Sequence, residues 1–371
     1  MKKVGLITIY HVPNYGSVLQ TYATQVLLEK LGMECHIINY KYPNEWHFAQ
    51  GRLRPTIKSI IGHLFGLKPS HRKANKLIDF KKKNFNFTKL YKNLDELKNA
   101  DWSGYDMFAV GSDQVWKAHF TLGDSAFLLS FIPEDKYRIS IASSFASKNV
   151  PDKFIEKYKK HLSKFNAISV REHNGIDIIK NDLQLGCTPE VILDPTLLLS
   201  KEQWMETVSR STFKKKKKYI LLYMLTYAFE PRPYIFDILK HLQAKENYDI
   251  IALEGYTPKE HANNLLMTDK SDSSISEFID LFANADIVVT SSFHGTAFAA
   301  NFGIPLISVV PDGNEDDRQS SFLRSVGLEQ CIAKTGIPVN NIEYNYDKDT
   351  ALKKLTELRK KSIEWIKFNI A

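Results

Sequence analysis

The chain has 371 residues, 43% of them hydrophobic and 12% aromatic, with a formal net charge of +8. That length exceeds the usual single domain, so two are expected, and the composition belongs to a folded, core-bearing protein rather than a disordered one. Three scattered cysteines (Cys35, Cys187, Cys331) without a CxxC pair argue against a disulfide framework or zinc site and for a reducing compartment.

Residues 3–10 read as a buried strand, and the break at His11-Val12-Pro13-Asn14 comes too early for the apolar core of a signal peptide. A cytoplasmic location is expected, because no apolar run approaches the ~20 residues that span a bilayer. After a loop with Asn14 and Gly16, the spacing of Val18, Leu19, Tyr22, Ala23, Val26 and Leu27 predicts a helix over 17–31. A second strand follows at 34–40, giving a strand-helix-strand opening.

Between Arg52 and Lys83 stand ten basic residues against one acid, Asp79, which leaves the rest of the chain near neutral. Apolar residues are interleaved with them, so the segment reads as a basic helical insertion over about 50–90. Such a segment lies on an anionic membrane surface, or is simply a solvated basic face. No nucleic-acid-binding motif accompanies the charge.

Further strands are predicted at 106–110, 139–145, 167–170 and 191–193. After the lysine run 214–218 come strands at 219–225, 250–253, 287–290 and 306–310, and helices at 274–283 and 350–369. Strands alternating with helices build parallel sheets. The expectation is α/β, two doubly wound Rossmann-like domains facing a cleft, with a boundary near 200–217. The first domain covers 1–205 and carries the basic insertion; the second covers 206–371 and includes the terminal helix.

Five segments fall at predicted strand ends, where open parallel sheets bind ligands beside helix N-termini. Asn14-Tyr15-Gly16 offers a glycine for close backbone approach, with Asn14 as ligand contact or helix cap. Gly111-Ser112-Asp113-Gln114-Val115-Trp116 offers a carboxylate for acid or base work with Gln114 and Trp116 as substrate contacts, or a helix cap with Trp116 in the core. In Ser169-Val170-Arg171-Glu172 the arginine clamps an anion or pairs with Glu172. Asp194-Pro195 reads as a turn. Ser291-Ser292-Phe293-His294-Gly295-Thr296 presents a histidine at a strand end, and Arg318 in the following polar loop adds a second cation. There is no HExxH, GxSxG or GxGxxG motif.

Taken together and in this order, these segments resemble the polysaccharide pyruvyl transferase family over about residues 3–330. The resemblance implies a fold like the two-domain B-type glycosyltransferases, with the active site in the cleft. It implies phosphoenolpyruvate as donor, no other cofactor and no metal. The implied acceptor is a sugar of a surface polysaccharide precursor, possible in lipid-linked form at the inner membrane face. His294 and Arg171 match positions that bind or act on the donor, and Asp113 matches the strand-end acid. Many members carry an arginine two residues before the histidine; that place is Ser292 here, and Arg318 is the candidate to supply the charge. Two other readings stand beside this one. A nucleotide-sugar glycosyltransferase of the same fold would need a ribose-binding acid, for which Glu277 and Asp280 are candidates. A non-catalytic glycan-binding or scaffold protein would use the basic segment.

Overall fold

The computed structural model describes residues 1–43, 66–208, 214–313 and 318–371. Runs of aliphatic residues form strands that are covered on both faces, as parallel sheets require. β1 (Lys2–Ile7), β2 (Met33–Ile37), β3 (Met107–Val110) and β4 (Tyr137–Ser140) make a parallel sheet in the order β2-β1-β3-β4. A short parallel pair, β5 (Ser169–Val170) and β6 (Glu190–Val191), continues it through single bridges from Ile139 to Ala167 and from Ser143 to Val170.

The second sheet contains β7 (Tyr219–Tyr223), β8 (Asp249–Glu254), β9 (Met267–Asp269), β10 (Ile287–Thr290), β11 (Leu306–Val310) and β12 (Ile332–Lys334). Its order is β12-β11-β10-β7-β8-β9, with every neighbouring pair parallel. The order reverses between β7 and β10, and in the first sheet between β1 and β3. These are the switch points at which doubly wound sheets open a crevice. The molecule is therefore α/β with two Rossmann-like halves.

Several boundaries differ from the sequence expectation. The first helix, α1 (Tyr15–Lys30), starts before residue 17 because Asn14 caps it, its side chain accepting from Ser17 N at 3.3 Å. The strand expected over 139–145 ends at Ser140. Beyond it Ser143 Oγ donates to Gly111 O at 3.0 Å and Ser144 Oγ to Glu172 Oε1 at 2.9 Å, so side chains replace the ladder and the chain turns toward the crevice.

Of the basic insertion, α2 (Pro69–Asn84) is described; residues 44–65, with Arg52, Arg54 and Lys58, lie outside the described residues, as do 209–213 near the expected boundary. α2 faces the other half of the chain. Arg72 Nε meets Asp272 at 2.6 Å, Lys73 pairs with Glu254, Lys76 meets Glu277 at 3.5 Å, and Lys81 Nζ donates to Tyr10 O at 3.2 Å. Part of the basic face is therefore internal, whereas Lys68, Lys82 and Lys83 remain exposed.

In the second half, α3 (Ile275–Ala283), α4 (Phe293–Phe302) and α5 (Arg318–Val326) pack around the sheet. One apolar cluster joins the halves through Tyr22, Trp204 and Phe298, whose successive ring centroids are 6.1 and 5.4 Å apart. Each such buried aromatic contributes on the order of 2 kcal/mol. α6 (Lys348–Ile370) crosses back to the first half: Lys2 Nζ donates to Ile370 O, Leu193 N to Ser362 Oγ, and Arg359 Nε to Leu197 O. No described helix is long and apolar enough to cross a membrane.

Candidate active site

The crevice is built on the first turn of α1. Gly16 lies directly under the imidazole of His294, so closely that a Cβ there would stand 2.1 Å from its Nδ1. The expected role of Gly16, letting backbone approach a ligand, is in the structure the admission of a histidine from the other half. One residue on, Ser17 Oγ donates to Asp113 Oδ2 at 2.6 Å. Two candidate acid/base groups from different halves thus flank one helix terminus.

Asp113 follows β3 with φ +74, the left-handed region that aspartate tolerates better than most residues. Gln114 N donates to its Oδ1 at 2.9 Å. Gln114 is 2% exposed; its Nε2 donates to Tyr227 Oη at 3.3 Å, and its Oε1 has no partner. Trp116 is in the first-half core, donating from Nε1 to Phe127 O. That placement is the core alternative, and it removes Trp116 from the set of substrate contacts expected from sequence.

The centre of the site is Asp194, which the sequence presents as a turn residue. It caps the turn at Pro195: its Oδ1 accepts from Thr196 N at 2.9 Å and Thr196 Oγ1 at 2.7 Å. Its Oδ2 accepts from Ser112 Oγ and from Arg171 Nη1, both at 2.8 Å. His294 Nε2 stands 3.7 Å from the same oxygen, beyond hydrogen-bond length, and has no other partner. Burial alone would push this carboxyl up, but His294, Arg171 and Thr196 outweigh it and hold Asp194 well below the usual carboxylate range.

Arg171 is 6% exposed and lies 4.3 Å over the Phe293 ring. Only Nη1 is bonded; Nε and Nη2 have no hydrogen-bond partner. Glu172, the expected ion partner, is 4.0 Å from Arg171 Nε. It is engaged on its other side, Oε1 accepting from Ser144 Oγ, Phe145 N and Ala146 N, while Oε2 is unbonded. Burial raises its pKa against the opposing field of Arg171 and Arg318. Arg318 begins α5 and is 6% exposed.

The remaining sequence candidates are placed as supports. Ser291 Oγ donates to Leu225 O and accepts from Leu225 N, both at 2.8 Å, tying the end of β10 to that of β7. Ser292 caps α4, its Oγ accepting from Gly295 N at 3.4 Å. Gly295 leaves no room for a Cβ against Thr290 and Tyr223. Thr296 Oγ1 bonds Ser292 O and Ser308 Oγ. Asn14 is the α1 cap.

Two cavities meet at Phe293. One, about 590 Å³, is bordered by Ser291, Arg318, Gln319, Lys117, Lys148 and Tyr227. The other, about 430 Å³, is bordered by Arg171, Asp194, Leu358, Lys361 and Trp365. Sequence reading took Glu172 only as a partner for Arg171, not as a buried group, and missed the wall of Lys117, His119 and Lys148, which no motif announces. Asp194 carried a signal after all, a carboxylate at a strand end. Among the described residues no group of His, Cys, Asp or Glu is placed to hold a metal ion.

No curated protein matches the chain in sequence. Its fold is similar to that of UDP-GlcNAc 2-epimerase from Neisseria meningitidis bound to UDP-GlcNAc (TM-score 0.54, 10% identity, 98% of this chain and 100% of that one). It is equally similar to UDP-GlcNAc 2-epimerase from Methanocaldococcus jannaschii (TM-score 0.54, 13% identity, 96% and 92%). At such identities the likeness is one of fold, the two-domain architecture shared with B-type glycosyltransferases. The polysaccharide pyruvyl transferase family model matches residues 14–313, and the chain belongs to that family of transferases.

Proposed function

We propose that this transferase moves pyruvate from phosphoenolpyruvate onto a sugar of a glycan precursor, forming a cyclic ketal. The observation that carries the reading is the buried group of Arg171 and His294 around Asp194, with ring and guanidinium nitrogens that make no hydrogen bond within the fold. Buried donors left unbonded are costly unless a ligand satisfies them. Arg171 and Arg318 suit the carboxylate and phosphate of the donor, placed around Phe293 where the two cavities meet.

In the reaction one sugar hydroxyl adds to the central carbon of the enol phosphate while a proton is delivered to the methylene carbon, which becomes the methyl. The C–O bond to phosphate then breaks, and the second hydroxyl adds to the same carbon. Of the two hydroxyl protons, one ends on the methyl group and the other leaves with phosphate. His294 is the proton donor and Asp113, beside it at the α1 terminus, the base that accepts from the sugar. Ser292, at the place where many members have an arginine, works as a cap, and Arg318 supplies the second cation.

The nucleotide-sugar reading loses its first acid candidate, because Glu277 is engaged in the α3 capping box and in the pair with Lys76. The test is incubation with phosphoenolpyruvate and a panel of nitrophenyl and lipid-linked sugars, following phosphate release and product mass. Phosphate release with pyruvyl mass gain, abolished in His294→Ala, is the expected result. Stabilisation by nucleotide sugars with no mass gain from phosphoenolpyruvate on any acceptor would overturn it.

A further inference from the structure

The segment after β4 runs in a conformation its residues resist. Ala142 has φ +51 and Ala146 φ +47, where an alanine Cβ crowds the following carbonyl oxygen. Such backbone persists only where surrounding bonds hold it, and it collects at functional sites. Here the bonds come from Glu172, itself 2% exposed. Its Oε1 accepts from Ser144 Oγ at 2.9 Å, Phe145 N at 3.0 Å and Ala146 N at 3.2 Å. One carboxylate oxygen thus gathers successive residues up to the second strained alanine. On one side of these bonds lies the proposed base: Ser143 is bridged to Asp113, and Ser144 N donates to Asp113 O at 3.1 Å. On the other side Ala146, Ser147, Lys148 and Asn149 border the larger cavity in succession. That cavity is also bordered by Lys117 and Phe120, from the stretch that follows Asp113. With the donor at Phe293, it is the room for the sugar on the side of the base. Glu172 borders neither cavity, so it acts through what it holds.

We infer that Glu172 is the positioning residue of the acceptor side: it fixes the cavity wall 146–149 and, through Ser144, the backbone of Asp113. Its neighbour Arg171 serves the donor side, so two adjacent residues at the end of β5 divide the substrates between them. This rests on the transferase reading for the names donor and acceptor; the hold on the wall stands apart from it. What the three donors require is an accepting oxygen. The second oxygen, Oε2, takes no part in the wall, being unbonded and 4.0 Å from Arg171 Nε. Two variants therefore part the roles: Glu172→Gln keeps the accepting oxygen and removes the charge, and Glu172→Ala removes both.

Amide exchange followed by mass spectrometry, and steady-state kinetics with phosphoenolpyruvate and the sugar panel, test this. Glu172→Ala is expected to speed exchange over 144–149 about ten-fold. It is expected to raise KM for the sugar about ten-fold without raising KM for phosphoenolpyruvate. Glu172→Gln is expected to recover both the protection and the sugar KM. Ser144→Ala, which leaves the Phe145 and Ala146 donors in place, gives smaller shifts of the same kind. It carries the test if Glu172→Ala does not fold, and no change in either measurement there overturns the inference. So does wild-type exchange in Glu172→Ala, an equal rise in KM for both substrates, or a loss in Glu172→Gln as large as in Glu172→Ala. If wild type transfers pyruvate to no sugar, the donor reading falls and exchange alone decides. Protection lost in Glu172→Ala and kept in Glu172→Gln then supports the role of Glu172, and any other pattern overturns it.

Discussion

Two seams join the halves of this molecule, and they are built on opposite principles. Along α2 the seam is complete: Arg72, Lys73 and Lys76 each find an acid of the second half, Lys73 from a buried position and the other two near the surface. At the α1 terminus the seam is buried and incomplete, with Arg171, Glu172 and His294 each keeping at least one polar atom unbonded. A satisfied seam holds a structure together; an unsatisfied one, deep in low dielectric, favours a ligand that completes it. The difference separates positioning from chemistry without reference to any relative.

Perturbing the buried seam has the largest effect. Asp194→Asn keeps the shape and removes the charge that Arg171 and His294 face, and is expected to cost about 3 kcal/mol of stability, read by chemical denaturation. The same variant gives a pH signature. The Asp194 carboxyl is held below its unfolded value near 3.9, so its stabilisation is full at neutral pH and declines as pH falls below about 4. Wild type and Asp194→Asn should therefore converge in stability on acidification, and a constant gap would refute the assignment.

Gly16→Ala comes next. The added methyl displaces the His294 ring, and kcat for pyruvyl transfer is expected to fall about 100-fold. Full activity would mean that His294 need not occupy the place seen here.

The α2 seam yields the smaller effects. Lys73→Ala, whose side chain is 9% exposed and which also lies over the Tyr15 ring at 4.5 Å, should lose on the order of 1–2 kcal/mol. Arg72→Ala and Lys76→Ala, at exposed pairs, should each lose about 0.5 kcal/mol or less, and that loss should vanish in high salt. A larger effect from either exposed pair than from Asp194→Asn would reverse the comparison.

Much of the site was legible because strand ends announce themselves: an aliphatic run stopping at Ser291-Ser292 or Gly111-Ser112 marks where a parallel sheet opens. The same rule brought Asn14, Asp113, Arg171 and His294 to one crevice. It misjudged Trp116, since an aromatic in the loop beyond a strand end turns inward as readily as outward. It undervalued Asp194, because a proline after it signals a turn, and a capping carboxylate still has a second oxygen for Arg171. The basic segment misled in part: a row of cations looks the same whether it faces water or, as Arg72, Lys73 and Lys76 do, acids some two hundred positions later in the chain.

By itself the sequence determined the periods of its strands and helices, the parallel class of its sheets and the polar residues at their ends, because these depend on neighbours in the chain. Only the tertiary structure decided which of those ends meet: that His294 rests on Gly16, that Asp194 gathers Arg171 and Ser112, and that Tyr227 stands against Gln114. Burial and pairing are properties of the packed crevice, and contacts between residues well separated in the chain leave no local pattern to read.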